Sequence, residues 1–225
     1  MKQTKIGIRV QFTEPLLGCS SGNPEIYDEF LAPKAEEKLH HPLTDEQKAE
    51  ERAAITPEDP SVKLEKASTV FPKDTTGLFV WDYQWRGFIK ERIGSMIELG
   101  DVTEVTKWTY KRAVDQFVFV NPRRCYLHSE GGEIVRECKQ WLQRPLRATT
   151  MQGDRIALAR SQMLPVGTTC EFAVTVMEGT NPKSKVAGLT PDRIRQCFDM
   201  GIVSGSMQWR SGGWGRFTWS ELPVA

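Results

Sequence analysis

The residues best suited to chemistry in this sequence lie close together in a glycine-rich stretch, residues 204–216. Glycines let backbone N–H groups approach a phosphate, arginines supply cations, and tryptophans stack on nucleobases of any identity. The candidate nucleic-acid-binding residues here are Trp209, Arg210, Gly212, Gly213, Trp214, Gly215 and Arg216. The same composition is also typical of a hairpin whose two tryptophans pack into a core. Composition alone supports both interpretations equally.

Further cationic candidates lie in three other stretches of the chain. They are Arg86, Lys90, Arg123, Arg124, Arg144 and Arg147. Arg123 and Arg124 follow an apolar run that predicts a strand, and arginines at strand ends are well placed for phosphate contacts. Ordinary surface ion pairing, worth about 0–1 kcal/mol per pair, is the alternative for these two arginines.

Catalytic signatures are scarce in this sequence, which has no P-loop, nucleophile elbow, paired carboxylates or HExxH helix. His128 is the only histidine outside residues 34–70 and is a candidate for catalysis, although a single histidine in a strand is usually structural. His40 and His41 are adjacent in a polar stretch and are expected to be solvated. The five cysteines are odd in number and include no CxxC pair, which argues against a disulfide framework or a zinc site. We therefore expect neither a metal nor another cofactor.

Charge is distributed unevenly along the 225 residues, whose formal net charge is only +1. Residues 34–66 carry nine acidic and six basic side chains, which leaves little apolar surface to bury. We therefore predict a single domain over residues 1–225 with a charged, projecting insertion at residues 34–70. Residues 121–217 carry fourteen basic and eight acidic side chains, and a basic half is typical of a nucleic-acid-binding protein.

The sequence predicts a cytoplasmic protein without a membrane partner. No apolar run reaches the roughly 18 residues that predict a membrane-spanning helix, and the N-terminal residues lead directly into an alternating strand pattern. Cysteines expected to stay reduced fit the same compartment.

Residues 77–93 form the segment around which the other elements are predicted to pack. Apolar side chains recur at helical spacing from Trp85 to Ile97, which predicts a helix with one buried face. Gly87 costs this helix about 1 kcal/mol relative to alanine, so we expect a strand or a ligand to approach the backbone there. Arg92, like Arg86 and Lys90, is expected to lie off the apolar face and to be open to an anion.

The rest of the sequence predicts strands that alternate with helices. Period-2 alternation predicts strands over residues 6–12 and 170–176, and an apolar run predicts a buried strand over residues 117–120. A helix is predicted to begin after Thr190 and to end at Gly201. The predicted class is α+β, with a ferredoxin-like or RRM-like βαββαβ core and the charged insertion after the first strand.

Three stretches resemble the RAMP superfamily, the repeat-associated RNA-binding subunits of CRISPR effector complexes and their processing endonucleases. Residues 83–90 resemble the opening of the family's first helix, residues 166–174 its glycine-threonine strand entry, and residues 212–217 its C-terminal glycine-rich loop. The resemblance implies a ferredoxin-like fold in which that loop packs against the opening helix near the RNA backbone.

The catalytic residues of the family find no clear counterpart here. Its processing endonucleases use a general-base histidine near the N-terminus, and this chain has no histidine before His40. Its target-cleaving subunits use an aspartate in the loop after the first strand. This chain has Glu14 in that loop and no aspartate before Asp28.

Residues 144–153 and 208–213 also resemble uncharacterised phage and prophage proteins, a resemblance that implies no activity. We expect a non-catalytic, RAMP-type protein that binds single-stranded nucleic acid, RNA in preference to DNA, as part of a homo-oligomer or multi-subunit complex. One alternative is a metal-independent RAMP endoribonuclease that uses His128 or the pair His40 and His41. Another is a phage structural or protein-interaction component whose glycine-tryptophan loop is a protein interface.

Overall fold

Strands and helices alternate along the part of the chain that the structure, a computed structural model, describes: residues 2–23, 44–55, 68–150, 153–179 and 189–223. The strands are β1 (Lys2–Phe12), β2 (Leu16–Leu17), β3 (Ser20–Ser21), β4 (Ser68–Val70), β5 (Phe79–Trp81), β6 (Val118–Asn121), β7 (Arg124–His128), β8 (Trp141–Thr150), β9 (Gly153–Leu164), β10 (Thr169–Glu178) and β11 (Phe217–Leu222). The helices are α1 (Asp45–Ile55), α2 (Asp82–Leu99), α3 (Tyr110–Phe117), α4 (Pro191–Asp199) and the single turn α5 (Gly201–Ser204). The protein is an α+β protein with two sheets, and it divides into two units.

The first unit comprises Met1–Leu16, Phe79–Val135 and Pro165–Ala225, and it contains a six-stranded antiparallel sheet. Its strands lie in the order β11-β1-β10-β7-β5, with β6 also paired to β10. The central strands β1 and β10 are aligned so that Ile6 lies opposite Val174. Both strands confirm the period-2 alternation seen in the sequence.

Aromatic side chains hold helices α2 and α4 to one face of this sheet. The buried residues of α2 are Trp85, Phe88, Ile89, Arg92, Ile93 and Met96. Trp85 stacks on Phe172 of β10 with ring centroids 4.6 Å apart, and Phe88 lies 5.6 Å from Phe198 of α4. Such pairs contribute about 0.5–1.5 kcal/mol each beyond the area they bury. The predicted apolar face of α2 is confirmed.

Two predictions about α2 are wrong in their details. No strand approaches Gly87, because a Cβ built there would have no described protein atom within 4 Å, and the approach of a ligand there stays a prediction. The close approach on α2 is instead at Gly94, where an added Cβ would lie 2.9 Å from the Tyr110 hydroxyl, so the Tyr110 side chain would have to shift. Arg92 is buried rather than solvent-facing, and its guanidinium lies 5.7 Å from the centre of the Phe88 ring.

Helix α4 begins as predicted but ends for a different reason. Thr190 caps it, since its hydroxyl accepts a hydrogen bond from the backbone N–H of Arg193 at 3.4 Å. Gly201 does not end the helix in a left-handed conformation and instead begins the turn α5. An added Cβ at Gly201 would stand 2.2 Å from the ring of Phe217, so packing against β11 requires glycine here.

Helix α3 is absent from the sequence-based prediction, which placed a strand over residues 117–120. The strand begins one residue later, at Val118, because Phe117 closes the helix. Helix α3 is only eight residues long, shorter than the window over which a helical pattern is read, and its last residue, Phe117, belongs to the apolar run that predicts the strand.

The second unit comprises Leu17–Leu78 and Arg136–Leu164 and contains a five-stranded sheet. Its strands lie in the order β2-β9-β4-β3, and β8 pairs with β9 in a long hairpin. Ile55 at the end of α1 packs with Val70, and Trp141 packs against both.

Helix α1 opens with a capping box, which the sequence Thr44-Asp45-Glu46-Gln47 predicts. The Gln47 N–H donates to the Thr44 hydroxyl at 3.2 Å, and the Thr44 N–H donates to Gln47 Oε1 at 3.0 Å. The sequence also predicts a short helix with Asn23 as its N-cap and Pro24 in its first turn, and residues 24–31 lie outside the described residues. The single-domain interpretation and the insertion bounds at 34–70 stay predictions.

Candidate nucleic-acid interface

Helix α2 carries two of the candidate residues in the first unit, Arg86 and Lys90. It begins where the Trp81 N–H donates to Gln84 Oε1 at 2.9 Å. Its side chains form ion pairs with the glycine-rich loop, with α3 and within the helix itself, and these pairs are taken in turn below.

The glycine-rich loop is closed onto the chain that follows β1. Gly205 and Gly215 both have positive φ, +62° and +66°, which favours glycine. The Ser206 N–H donates to the Gly215 carbonyl at 2.8 Å, and the Gly215 N–H donates to the Pro15 carbonyl at 3.1 Å. The loop is therefore a fixed structure with its base in the sheet.

The prediction that glycine N–H groups in this loop are open to phosphate is wrong for three glycines. The Gly212 N–H donates to the Trp209 carbonyl at 3.0 Å, and the Gly213 N–H donates to the Arg210 carbonyl at 2.9 Å. Gly215 donates to the backbone as described above. These hydrogen bonds close a turn of 3₁₀-helix at Arg210–Gly212 and leave recognition to the loop's side chains.

Trp209 and Trp214 stack on each other at the surface, with ring centroids 5.8 Å apart and planes 16° apart. Trp209 is 37% exposed and Trp214 is half-buried, so neither indole lies in the core. A Cβ at Gly212 would stand 2.6 Å from the Trp209 ring, which therefore requires glycine beneath it. The interpretation of this stretch as a hairpin with core tryptophans is wrong.

The two arginines of the loop have different surroundings. Arg210 pairs with Glu91 of α2, and this ion pair packs the loop against the helix. Arg216 is exposed, and its Nη2 would lie 3.6 Å from a Cβ at Gly213. Among the described residues no carboxylate pairs with Arg216, so this guanidinium can accept an anionic ligand without first giving up a partner.

Arg86 and Lys90 of α2 both have acidic partners. Lys90 pairs with Asp115 of α3, and Arg86 lies 3.8 Å from Asp82 one helical turn earlier. Burial raises the pKa of the Asp82 carboxyl above its usual range, and the nearby Arg86 guanidinium offsets only part of that effect.

Arg123 and Arg124 lie over aromatic rings at the β6–β7 turn. The Arg123 guanidinium is 5.1 Å from the centre of the Trp81 ring, and that of Arg124 is 5.6 Å from the centre of the Phe79 ring. Cation–π contacts of this kind hold the guanidinium planes beside β5.

Arg144 and Arg147 lie on β8, in the second unit. Arg144 is half-buried, and burial lowers the pKa of its guanidinium. The side chain of Arg147 falls outside the described part of the structure.

His128, the candidate for catalysis, lies on β7 opposite Thr169 of β10 and is half-buried. His40 and His41 fall outside the described residues. Within residues 2–23, 44–55, 68–150, 153–179 and 189–223, no three His, Cys, Asp or Glu side chains are grouped so as to hold a metal ion. None of the helices described in this chain is both long and apolar enough to cross a membrane.

A further surface, around Trp108, was missed in the sequence analysis. Trp108 is 83% exposed, and the Lys107 ammonium lies 5.3 Å from its ring centre. The neighbouring Lys111 ammonium lies 5.9 Å from the centre of the Tyr110 ring. The sequence signal that could have identified this surface is the pair of aromatic residues, Trp108 and Tyr110, flanked by Lys107 and Lys111.

Comparison with known proteins gives no family assignment. No protein-family model matches the chain. A search of curated proteins also finds no significant match.

Proposed function

We propose that the first unit is built on a ferredoxin-like, RRM-like βαββαβ core of the RAMP type. The order β1, α2, β6 with β7, β10, α4 and β11 along the chain supports this assignment. So does the sheet order, in which β1 and β10 are central and are flanked by β11 on one side and by β6 and β7 on the other. Two helices on one face of an antiparallel sheet complete that plan.

We also propose that the protein binds single-stranded nucleic acid, RNA in preference to DNA, without cleaving it. The observation that carries this proposal is the surface stack of Trp209 and Trp214, with the exposed Arg216 in the same loop and its guanidinium close to Gly213. The preference for RNA comes from the RAMP resemblance.

The chemistry of this surface suits an unpaired strand better than a duplex. An indole stacks on a base of any identity and contributes about 1–3 kcal/mol per base, but only where the base is unstacked from its neighbours. An arginine without a carboxylate partner contacts a phosphate, and each phosphate contact makes the affinity depend on salt. The stacked tryptophans and Arg216 together supply both kinds of contact.

The test is fluorescence anisotropy with labelled single-stranded RNA and DNA oligonucleotides over a salt series, using wild type and the variant Arg210→Ala/Arg216→Ala. We expect affinity that falls steeply with salt, is higher for RNA, and is weaker in the variant. The products are run on a gel, since shortened RNA would replace this proposal with the endoribonuclease. Absence of binding at low salt would overturn nucleic-acid binding altogether.

A second candidate function, a protein-interaction component of an assembly, is favoured by two exposed apolar side chains. Ile202 and Val203, 57% and 66% exposed, are adjacent on the turn α5 that leads into the glycine-rich loop. We propose that this turn contributes to self-association. Sedimentation of wild type and Ile202→Ser/Val203→Ser tests it: we expect an oligomer that dissociates in the variant, and a monomeric wild type would exclude it.

A further inference from the structure

The first unit contains a pocket of about 420 Å³ at the start of α2, apart from the glycine-rich loop. Strands β1, β6 and β10 supply its other walls. The side chains that give it chemical character are Gln3, Asp82, Arg86, Phe119, Asn121 and Thr175. Its volume lies within the range typical of sites for small organic ligands.

An exposed aromatic ring forms part of the pocket wall. In β6, Val118 and Val120 are buried, so the period of the strand turns Phe119 and Asn121 to the other face of the sheet. Phe119 lies opposite Thr175 of β10 and remains 38% exposed. An exposed phenyl ring in a pocket is a surface on which a planar ligand can stack.

The polar groups of the pocket exclude several classes of ligand. A phosphate is disfavoured because the Arg86 guanidinium already has the Asp82 carboxylate 3.8 Å away. A purely apolar ligand is disfavoured because it would cover this charged pair and the Asn121 amide without offering either of them a hydrogen bond. A metal ion is disfavoured because Asp82 is the one carboxylate among the described residues of the wall. The remaining class is a planar ligand with hydrogen-bonding edges.

A nucleobase has these properties, and the charged pair selects among the four bases. Ionised Asp82 only accepts hydrogen bonds, and Arg86 only donates them. Guanine carries two adjacent donors, N1–H and the N2 amino group, beside an acceptor, O6, on one edge. That edge complements a carboxylate next to a guanidinium.

We propose that this pocket binds one unpaired guanine of a bound strand, stacked on Phe119 and hydrogen-bonded to Asp82 and Arg86. The proposal rests on the proposed function, because it assigns base selectivity to a protein that binds single strands. The pocket is then a second contact region, separate from the glycine-rich loop. It distinguishes one base from another, whereas the tryptophans stack on any base.

The experiment compares labelled 12-nucleotide oligouridines that carry either one central guanine or one central adenine, bound to the full chain at one fixed salt concentration. Wild type is expected to bind the guanine strand about tenfold more tightly, as one good bidentate contact allows. Asp82→Asn replaces an acceptor by a donor and should bring the two affinities within about twofold. Asp101→Asn, the same change on an exposed residue beyond the end of α2, should keep the full preference.

A second variant, Phe119→Leu, tests the pocket independently of any folding defect that Asp82→Asn causes. Phe119→Leu alters a partly exposed side chain and should weaken binding of the guanine strand about tenfold by removing the stacking surface. Equal affinity of wild type for the two strands would overturn the guanine pocket. In that case, if Arg210→Ala/Arg216→Ala still weakened the binding of both strands, the proposed function would stand without the guanine pocket. Failure to bind either strand would overturn both.

Discussion

The indole of Trp209 stacks on the indole of Trp214, with 5.8 Å between ring centroids and 16° between planes, at the surface of the first unit. Two glycine-dependent close approaches hold this pair: Gly212 lies beneath the Trp209 ring, and Gly215 lies against the Ser206 carbonyl. A rigid aromatic surface costs little entropy when a base stacks on it, which makes the pair the natural centre of a single-strand interface.

The first prediction concerns the stacked pair itself. Trp214→Ala should weaken binding of single-stranded oligonucleotides by about 1–3 kcal/mol, because it removes one stacking surface and leaves Trp209 without its neighbour. Fluorescence anisotropy measures the change. Trp214→Phe, which retains an aromatic ring, should recover most of the affinity, and wild-type affinity in the alanine variant would contradict the role of the stack.

The second prediction separates a glycine required by packing from one that is not. Gly201→Ala should lower the free energy of unfolding by about 1–3 kcal/mol, because the added methyl group meets the buried ring of Phe217. Gly87→Ala, the matched change on an exposed face of α2 with no neighbour near the added Cβ, should raise stability by about 1 kcal/mol through helix propensity. Urea unfolding measures both. A destabilised Gly87→Ala would mean that the backbone there is approached after all.

The third prediction concerns the pH dependence of stability. Arg195 on α4 holds the Glu221 carboxylate of β11 through two hydrogen bonds of 3.0 Å, and these bonds lower the pKa of Glu221. A carboxyl whose pKa is lower in the folded state stabilises the fold above its unfolded pKa of about 4.3, and that contribution disappears as the pH falls through the folded value.

Glu221→Gln should therefore be less stable than wild type at pH 7, by no more than about 1 kcal/mol because the pair is exposed. The difference should begin to shrink as the pH falls below about 4.3 and should disappear as the pH falls through the lowered pKa of the folded carboxyl. Thermal unfolding across pH 3–7 checks this. Glu98→Gln, at an exposed glutamate of α2 without an ion pair among the described residues, is the control and should show no such trend.

Local patterns were enough to predict the elements that carry the fold. The alternation of Ile6, Ile8 and Val10 predicted β1, and the spacing of Trp85 and Phe88 predicted α2, because each pattern reports the burial of one face. The helix caps at Thr44 and Thr190 could also be predicted, since capping depends on residues three positions apart. The short helix α3 was not predicted, because its eight residues are fewer than the window over which a helical pattern is read.

The candidate site was less predictable, because its properties depend on residues distant in sequence. Composition could not show that Arg210 pairs with Glu91, or that Arg216 lacks a carboxylate partner among the described residues. The surface position of Trp209 follows from its backbone φ of +53° and from the space at Gly212, both set by the tertiary fold. The pocket at Asp82 joins one helix to three strands, and no local pattern connects them.

The salt dependence of binding tests the central claim most directly, because its slope reports how many phosphates the protein neutralises. On a single strand, each neutralised phosphate adds about 0.7 to the steepness of log affinity against log salt. Arg216→Ala should therefore make the slope for a single-stranded RNA shallower by about that amount. Arg195→Ala, which removes the same charge from an ion pair with Glu221, should leave the slope unchanged. An Arg216→Ala slope equal to that of wild type would contradict the account.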